Sequence, residues 1–280
     1  MFRVRARTWR LLGVQQKRAI ALGVLAASIP AYAAMPGTAH NSMPGAIAGS
    51  VNDVGRFDAS VSAVPAPWQV VRFDQSVPAT QYRVIAWDGV AAVEAVAKSS
   101  MALLARPLTI DLASSPILCW RWRIDAPLKK ADMATRQGDD YAARVYLSFK
   151  LPAQAISFAT RIKLTLARTL YGDQVPDAAL NYVWDNRYPV GTSRPNAYTD
   201  RTRMIVLRSG PVQAGAWVSE RRDVWADAVA AFGSERIGAL QLALAADTDN
   251  TLEEARSGFA DLHFIARDGV CHFSAPLPEK

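Results

Sequence analysis

From Trp68 onward, apolar and polar positions alternate in short stretches separated by turn residues. A period of two marks a strand with one face on a core. It predicts strands at 68–73, 82–87, 91–97, 117–124, 142–149, 180–184, 203–207, 217–224, 240–245 and 258–264. Asp88-Gly89 and Ser209-Gly210 are among the turn signals between them. So many short strands predict a mostly β chain, an antiparallel jelly-roll-like β-sandwich with one or two short helices.

Two segments break the period. Phe158, Ile162, Leu166 and Leu170 recur every fourth residue, the stripe of a helix that packs on the sandwich and that Gly172 can end. The Ala-rich run 225–232 stops at Gly233 and predicts a short helix.

Alternation also assigns faces. Leu118, Trp120, Trp122 and Ile124 share one face of their strand, and Cys119, Arg121 and Arg123 the other. Val145, Leu147 and Phe149 oppose Arg144, Tyr146 and Ser148. Val218, Glu220, Arg222 and Val224 oppose Trp217, Ser219, Arg221 and Asp223. A face that mixes Arg, Tyr and Trp is either a ligand groove or a solvated face whose Arg stems cover apolar surface.

With 50% hydrophobic and 20% charged residues, the 280-residue chain has a globular composition. Its net charge of +7 is local, because residues 1–33 hold six basic residues and no acidic one. Taking those six from 32 leaves 26 basic against 25 acidic residues. A near-neutral body gives no support for a nucleic-acid partner.

Those 33 residues have the layout of a signal peptide: a basic stretch to Arg18, an apolar run to Ile29, then Ala31-Tyr32-Ala33. The run is too short to span a bilayer, so no transmembrane anchor is expected after cleavage, and the expected location is periplasmic or secreted. Residues 34–66, rich in Pro, Gly and small residues, read as a flexible tether. Residues 67–280 read as a single β-sandwich domain.

The catalytic inventory is thin. Of three histidines, His40 falls in the tether, leaving His263 and His272. There is no H-E-x-x-H, G-x-S-x-G or G-x-x-x-x-G-K motif, and no cysteine pair with metal spacing. Carboxylate-pair chemistry stays open, because spatial separation is invisible in sequence. Cys119 and Cys271 either bridge, as an oxidising compartment allows, or leave Cys119 packed as a small hydrophobe.

Three polar clusters stand out. Gly138-Asp139-Asp140-Tyr141 leads into the strand carrying Arg144. Adjacent carboxylates repel, so either one pairs with an arginine while the other faces ligand, or both cap a turn. The second cluster is 181–186. In Asp247-Thr248-Asp249-Asn250-Thr251, oxygen side chains at Asp247, Asp249 and Asn250 could bind Ca²⁺, the one cofactor the sequence suggests, or form an Asx-rich turn.

Together Gly138–Phe149, Leu180–Asp185, the strand with Trp217, Glu220, Arg222 and Val224, Phe232-Gly233 and Asp247–Thr251 resemble the bacterial domain-of-unknown-function family numbered 3047. Trp120-Arg121-Trp122 fits as well. The chain departs at Asp223, where the family usually has Asn, and at Ala228, where it usually has Tyr. The resemblance implies an exported bacterial protein with a β-sandwich body and no assigned activity. Two functional classes follow. One is a non-catalytic binding module for carbohydrate or another envelope component, with Asp139, Asp140, Arg144, Trp184, Glu220 and Arg222 as ligand-binding residues. The alternative is a carboxylate-dependent polysaccharide hydrolase or lyase.

Overall fold

The computed structural model describes residues 51–171 and 175–277. The expected signal peptide and residues 34–50 of the expected tether lie outside them. Among these residues, thirteen strands form two sheets packed face to face. The first sheet has the order β11 (Val218–Asp223), β6 (Ile117–Ile124), β13 (Glu254–Ile265), β4 (Val90–Lys98) and β3 (Gln81–Trp87), with β1 (Asn52–Gly55) also on β13. The second runs β2 (Gln69–Val71), β5 (Leu103–Pro107), β12 (Gly238–Asp247), β7 (Tyr141–Lys150), β8 (Ala178–Asp185), β10 (Thr202–Ser209) and β9 (Ser193–Pro195). Ladder pairs are antiparallel except β8 with β10, which is parallel.

The alternation forecast the core. Trp120 and Trp122 of β6 point between the sheets, each with its ring centroid 5.7 Å from Tyr182 or Trp184 of β8. Val145, Leu147 and Phe149 of β7 join them, all fully buried. Burying each such side chain stabilises the fold by about 1.5–3 kcal/mol, which makes the inward positions intolerant of charge.

Asp88 and Gly89 join β3 to β4 with φ of 47° and 74°, the two positive values a tight hairpin turn needs. Asp223 caps helix α2 (Val224–Phe232), accepting from the Ala226 N–H at 2.8 Å, so the acidic residue does the work an Asn would do there. Gly233, at φ 67°, closes that helix.

Three expectations are corrected. Residues 52–57 of the expected tether belong instead to the sandwich, because β1 pairs with β13 and both Val54 and Phe57 are buried. A Cβ on Gly55 would come within 2.5 Å of Leu262 Cδ1, so glycine permits that approach. In helix α1 (Phe158–Tyr171), Phe158 and Ile162 are 74% and 56% exposed. Leu164 instead packs with Leu151, Ile156, Val175 and Ala178, and Arg168 pairs with Asp177 at 2.6 Å. The Leu166 and Leu170 side chains lie outside those described. Finally, β5 and β9 were unforeseen. Leu103 and Leu104 are adjacent and both buried, so no alternation shows, and β9 is a three-residue edge strand ending in Pro.

Cys119 and Cys271 form a disulfide. It pins the segment after β13 to the outer face of the first sheet, where His263 Nε2 also accepts the His272 N–H at 3.0 Å. Among the described residues, no helix is long and apolar enough to cross a membrane.

Candidate ligand pocket on the second sheet

Residues 139–144 and 247–251 meet because β7 and β12 are antiparallel neighbours, with Asp247 opposite Tyr141 and Ala245 opposite Arg144. A short 3-10 turn, Arg136–Gly138, feeds the chain into β7. A Cβ on Gly138 would sit 2.6 Å from the Asp132 nitrogen, so only glycine lets the two segments close there. Arg144, Tyr146 and Ser148 then face away from the core, as alternation requires, yet all are buried.

Arg144 is the centre of the site. Its Nη2 pairs with Asp247 Oδ2, and its guanidinium lies 5.2 Å from the Tyr141 ring centroid and 5.0 Å from that of Tyr146. Burial works against its charge, but Asp247, Tyr146 and Asp139 more than offset that, and its pKa stands above the ordinary guanidinium value. Nε and Nη1 of Arg144 and the Tyr141 hydroxyl are buried without hydrogen-bond partners. On the same outer face Ser148 Oγ, Asn181 Oδ1 and Gln241 Oε1 also lack partners. Buried polar atoms are normally paired, so such a concentration on one face singles it out as a candidate site.

The carboxylates divide the labour. Both Asp139 oxygens accept from Asn196 Nδ2 at 2.9 Å. Burial pushes the Asp139 carboxyl up to about 6, against the pull of Arg144 and Asn196. Asp140 accepts from the backbone N–H groups of Asn250 and Thr251, at 3.1 and 2.6 Å, and from Thr251 Oγ1 at 2.7 Å. Asp140 therefore caps the 247–251 loop, and Arg144 pairs with Asp247 rather than with either adjacent aspartate. Burial also raises the Asp247 carboxyl, opposed by Arg144 and reinforced by its acidic neighbours. Asp139 and Asp247, crowded by acidic neighbours around one guanidinium, are thus both raised above the ordinary carboxylate value.

These groups bound a pocket of about 490 Å³, open solvent included. Asp74, Asp139, Arg144, Asp247, Asp249 and Asn250 supply its polar lining, and Phe73, Val77, Met101 and Tyr198 the apolar and aromatic walls. The carboxylate oxygens of Asp140, Asp247 and Asp249 lie within 4.8 Å of one another, a set that could hold a cation. Asn250, expected to join Asp247 and Asp249 in binding Ca²⁺, instead turns its Nδ2 to Asp140 at 3.0 Å and its Oδ1 to the Tyr198 hydroxyl at 3.2 Å.

Of the expected site residues, the structure brings Asp139, Asp140, Arg144, Asp247, Asp249 and Asn250 together. Trp184 is a core residue, its indole N–H donating to the Gly210 carbonyl at 3.1 Å. Glu220 accepts from Trp122 Nε1 at 2.9 Å and pairs with Arg208 at 2.6 Å. Arg222 pairs with Asp227 at 2.6 Å and lines a different cleft. Phe73, Met101, Asn196 and Tyr198 were missed. Asn196 and Tyr198 sit in a polar turn after Pro195 that, in sequence, reads only as a connection.

The family described as Protein of unknown function (DUF3047) matches residues 66–263, a span that contains both sheets except β1 and the end of β13. No curated protein matches the sequence. Among solved structures, similarity is found to endoglucanase 3 of family GH12 from Trichoderma harzianum, at 8% identity and a TM-score of 0.38, over 80% of this chain and 99% of that one. A family 12 xyloglucanase from Bacillus licheniformis, in complex with ligand, gives 9% identity and 0.33, over 79% and 100%. The xyloglucanase domain of NopAA, a type three effector from Sinorhizobium fredii, in complex with cellobiose, gives 10% and 0.31, over 73% and 100%.

Proposed function

The chain belongs to the DUF3047 family of unknown function, and we propose that it is an exported, non-catalytic module that binds an envelope glycan in the Arg144 pocket. The observation that carries this reading is the pair of buried, unpartnered donors Arg144 Nε and Nη1, on a residue that lines a pocket walled by Phe73 and Tyr198. Sugars present hydroxyl oxygens to such donors, hydroxyl protons to carboxylates such as Asp139, and C–H faces to aromatic rings. Engagement of Asp140 and Asp247 in holding the fold supports binding over turnover. The Cys119–Cys271 bridge supports an oxidising compartment, in line with the signal-like N-terminus.

A glycan array probed with the purified protein tests the reading, with a reducing-end assay on each bound glycan. The expected result is binding without new reducing ends, weakened by Phe73→Ala and by Asp139→Asn. Failure to bind any glycan overturns it. Asp139 held near 6 favours one second reading, an acid-assisted hydrolase. Release of reducing ends that is lost in Asp139→Asn would select that enzyme. Export is tested by N-terminal sequencing of periplasmic protein, which should begin at Ala34.

A further inference from the structure

A second cleft lies at the opposite edge of the second sheet, lined by residues of β9, β10, β11 and helix α2. It encloses about 880 Å³, open solvent included. Its floor is Ile205 and Leu207 of β10, with Ala230 and Ala231 of α2 across from them, and Gly191 forms part of the wall. At φ 89° and with open space where a Cβ would stand, Gly191 keeps that wall thin.

Two arginines face this apolar floor. Arg222 is already oriented: Nη2 and Nε reach the Asp227 carboxylate at 2.6 and 3.1 Å, and Asp227 also accepts the Tyr182 hydroxyl at 2.7 Å. Such a brace fixes the guanidinium on the cleft wall. Arg203 differs, because no carboxylate or other acceptor among the described residues pairs with it. The lining thus holds two guanidinium groups and one carboxylate, an excess of one positive charge over an apolar floor. Two guanidinium groups lining one cleft, one of them already braced, suit an oxyanion.

We infer that this cleft is a second ligand site, taking an anionic group, carboxylate or phosphate ester, carried on a small ring or acyl body. Arg203 supplies the main contact, Arg222 a second donor, and Ile205, Leu207 and the two alanines the apolar seat. The site is separate from the Arg144 pocket and does not depend on what that pocket binds.

Nuclear magnetic resonance titration of the purified protein tests this, following the arginine Nε–H signals with glucuronate, glycerol phosphate and glucose as probes. The expected result is that an anionic probe shifts the Arg203 and Arg222 signals while glucose leaves them unmoved. Arg203→Gln should weaken that probe about tenfold at an unchanged melting temperature, since Arg203 holds no internal partner to lose. Whichever anion binds more tightly names the group. Equal response to glucose, silence with both anions, or undiminished affinity in Arg203→Gln overturns the inference. Phe73→Ala should leave the anion affinity intact, so loss of glycan binding in the first pocket and failure of this site are separate outcomes.

Discussion

Arg144 and Asp247 meet between β7 and β12 with side chains 1% exposed each, so their ion pair is enclosed on the outward face of a sheet. Taking both charges from water is costly, and removing one partner alone strands the other. Arg144→Met should therefore destabilise the protein by about 3–5 kcal/mol. Adding Asp247→Leu should recover most of that loss. Urea unfolding midpoints of wild type, single and double variants check this, and additive losses would refute the coupling.

Asp139 gives a pH signature. Its carboxyl, ordinarily near 3.8, is pushed up to about 6 by burial. The folded protein thus holds that proton more tightly than the unfolded chain. The resulting stability is fully present below about pH 4 and is lost as pH rises through about 6. At roughly 1.4 kcal/mol per unit, the loss amounts to ~3 kcal/mol. The stability of wild type minus that of Asp139→Asn should fall by about that amount between these limits, as measured by denaturant unfolding across pH.

Asp140 closes the 247–251 loop with its carboxylate. Asp140→Ala leaves the Asn250 and Thr251 N–H groups without their acceptor and should cost about 2–3 kcal/mol. With Arg144 already on Asp247 and peptide donors on Asp140, millimolar calcium should leave the wild-type melting temperature unchanged. In Arg144→Met, where the carboxylates lose their cation, calcium should raise it. A calcium shift in the wild type would instead identify the loop as a metal site.

Helix α1 separates two substitutions of equal chemistry. Ile162→Asp falls on the exposed side and should change stability by less than about 0.5 kcal/mol, whereas Leu164→Asp buries a carboxylate among Leu151, Ile156 and Val175 and should cost about 3 kcal/mol. Thermal melts of the two variants decide which face is packed.

The sequence alone determined what depends on neighbours along the chain. A period of two sends Trp120, Trp122, Val145 and Leu147 inward wherever their strands are placed, and it sets Arg144, Tyr146 and Ser148 on the opposite face. Asp88-Gly89 carries its own turn, because its φ values are a local matter. Asp139, Asp140 and Arg144 could be nominated together for the same reason. Tertiary structure decided the partners. Arg144 pairs with Asp247, 103 residues away, only because β7 and β12 lie side by side in register. Trp184 and Glu220 read as groove residues until the packing of the two sheets placed both against Trp122. The inward side of α1 was misassigned to the Phe158–Ile162 stripe for the same cause, since apolar residues offer the helix more than one face and only the surface it meets selects Leu164 over Ile162. Strand pairing and sheet packing join residues remote along the chain, and local periodicity holds no record of that distance.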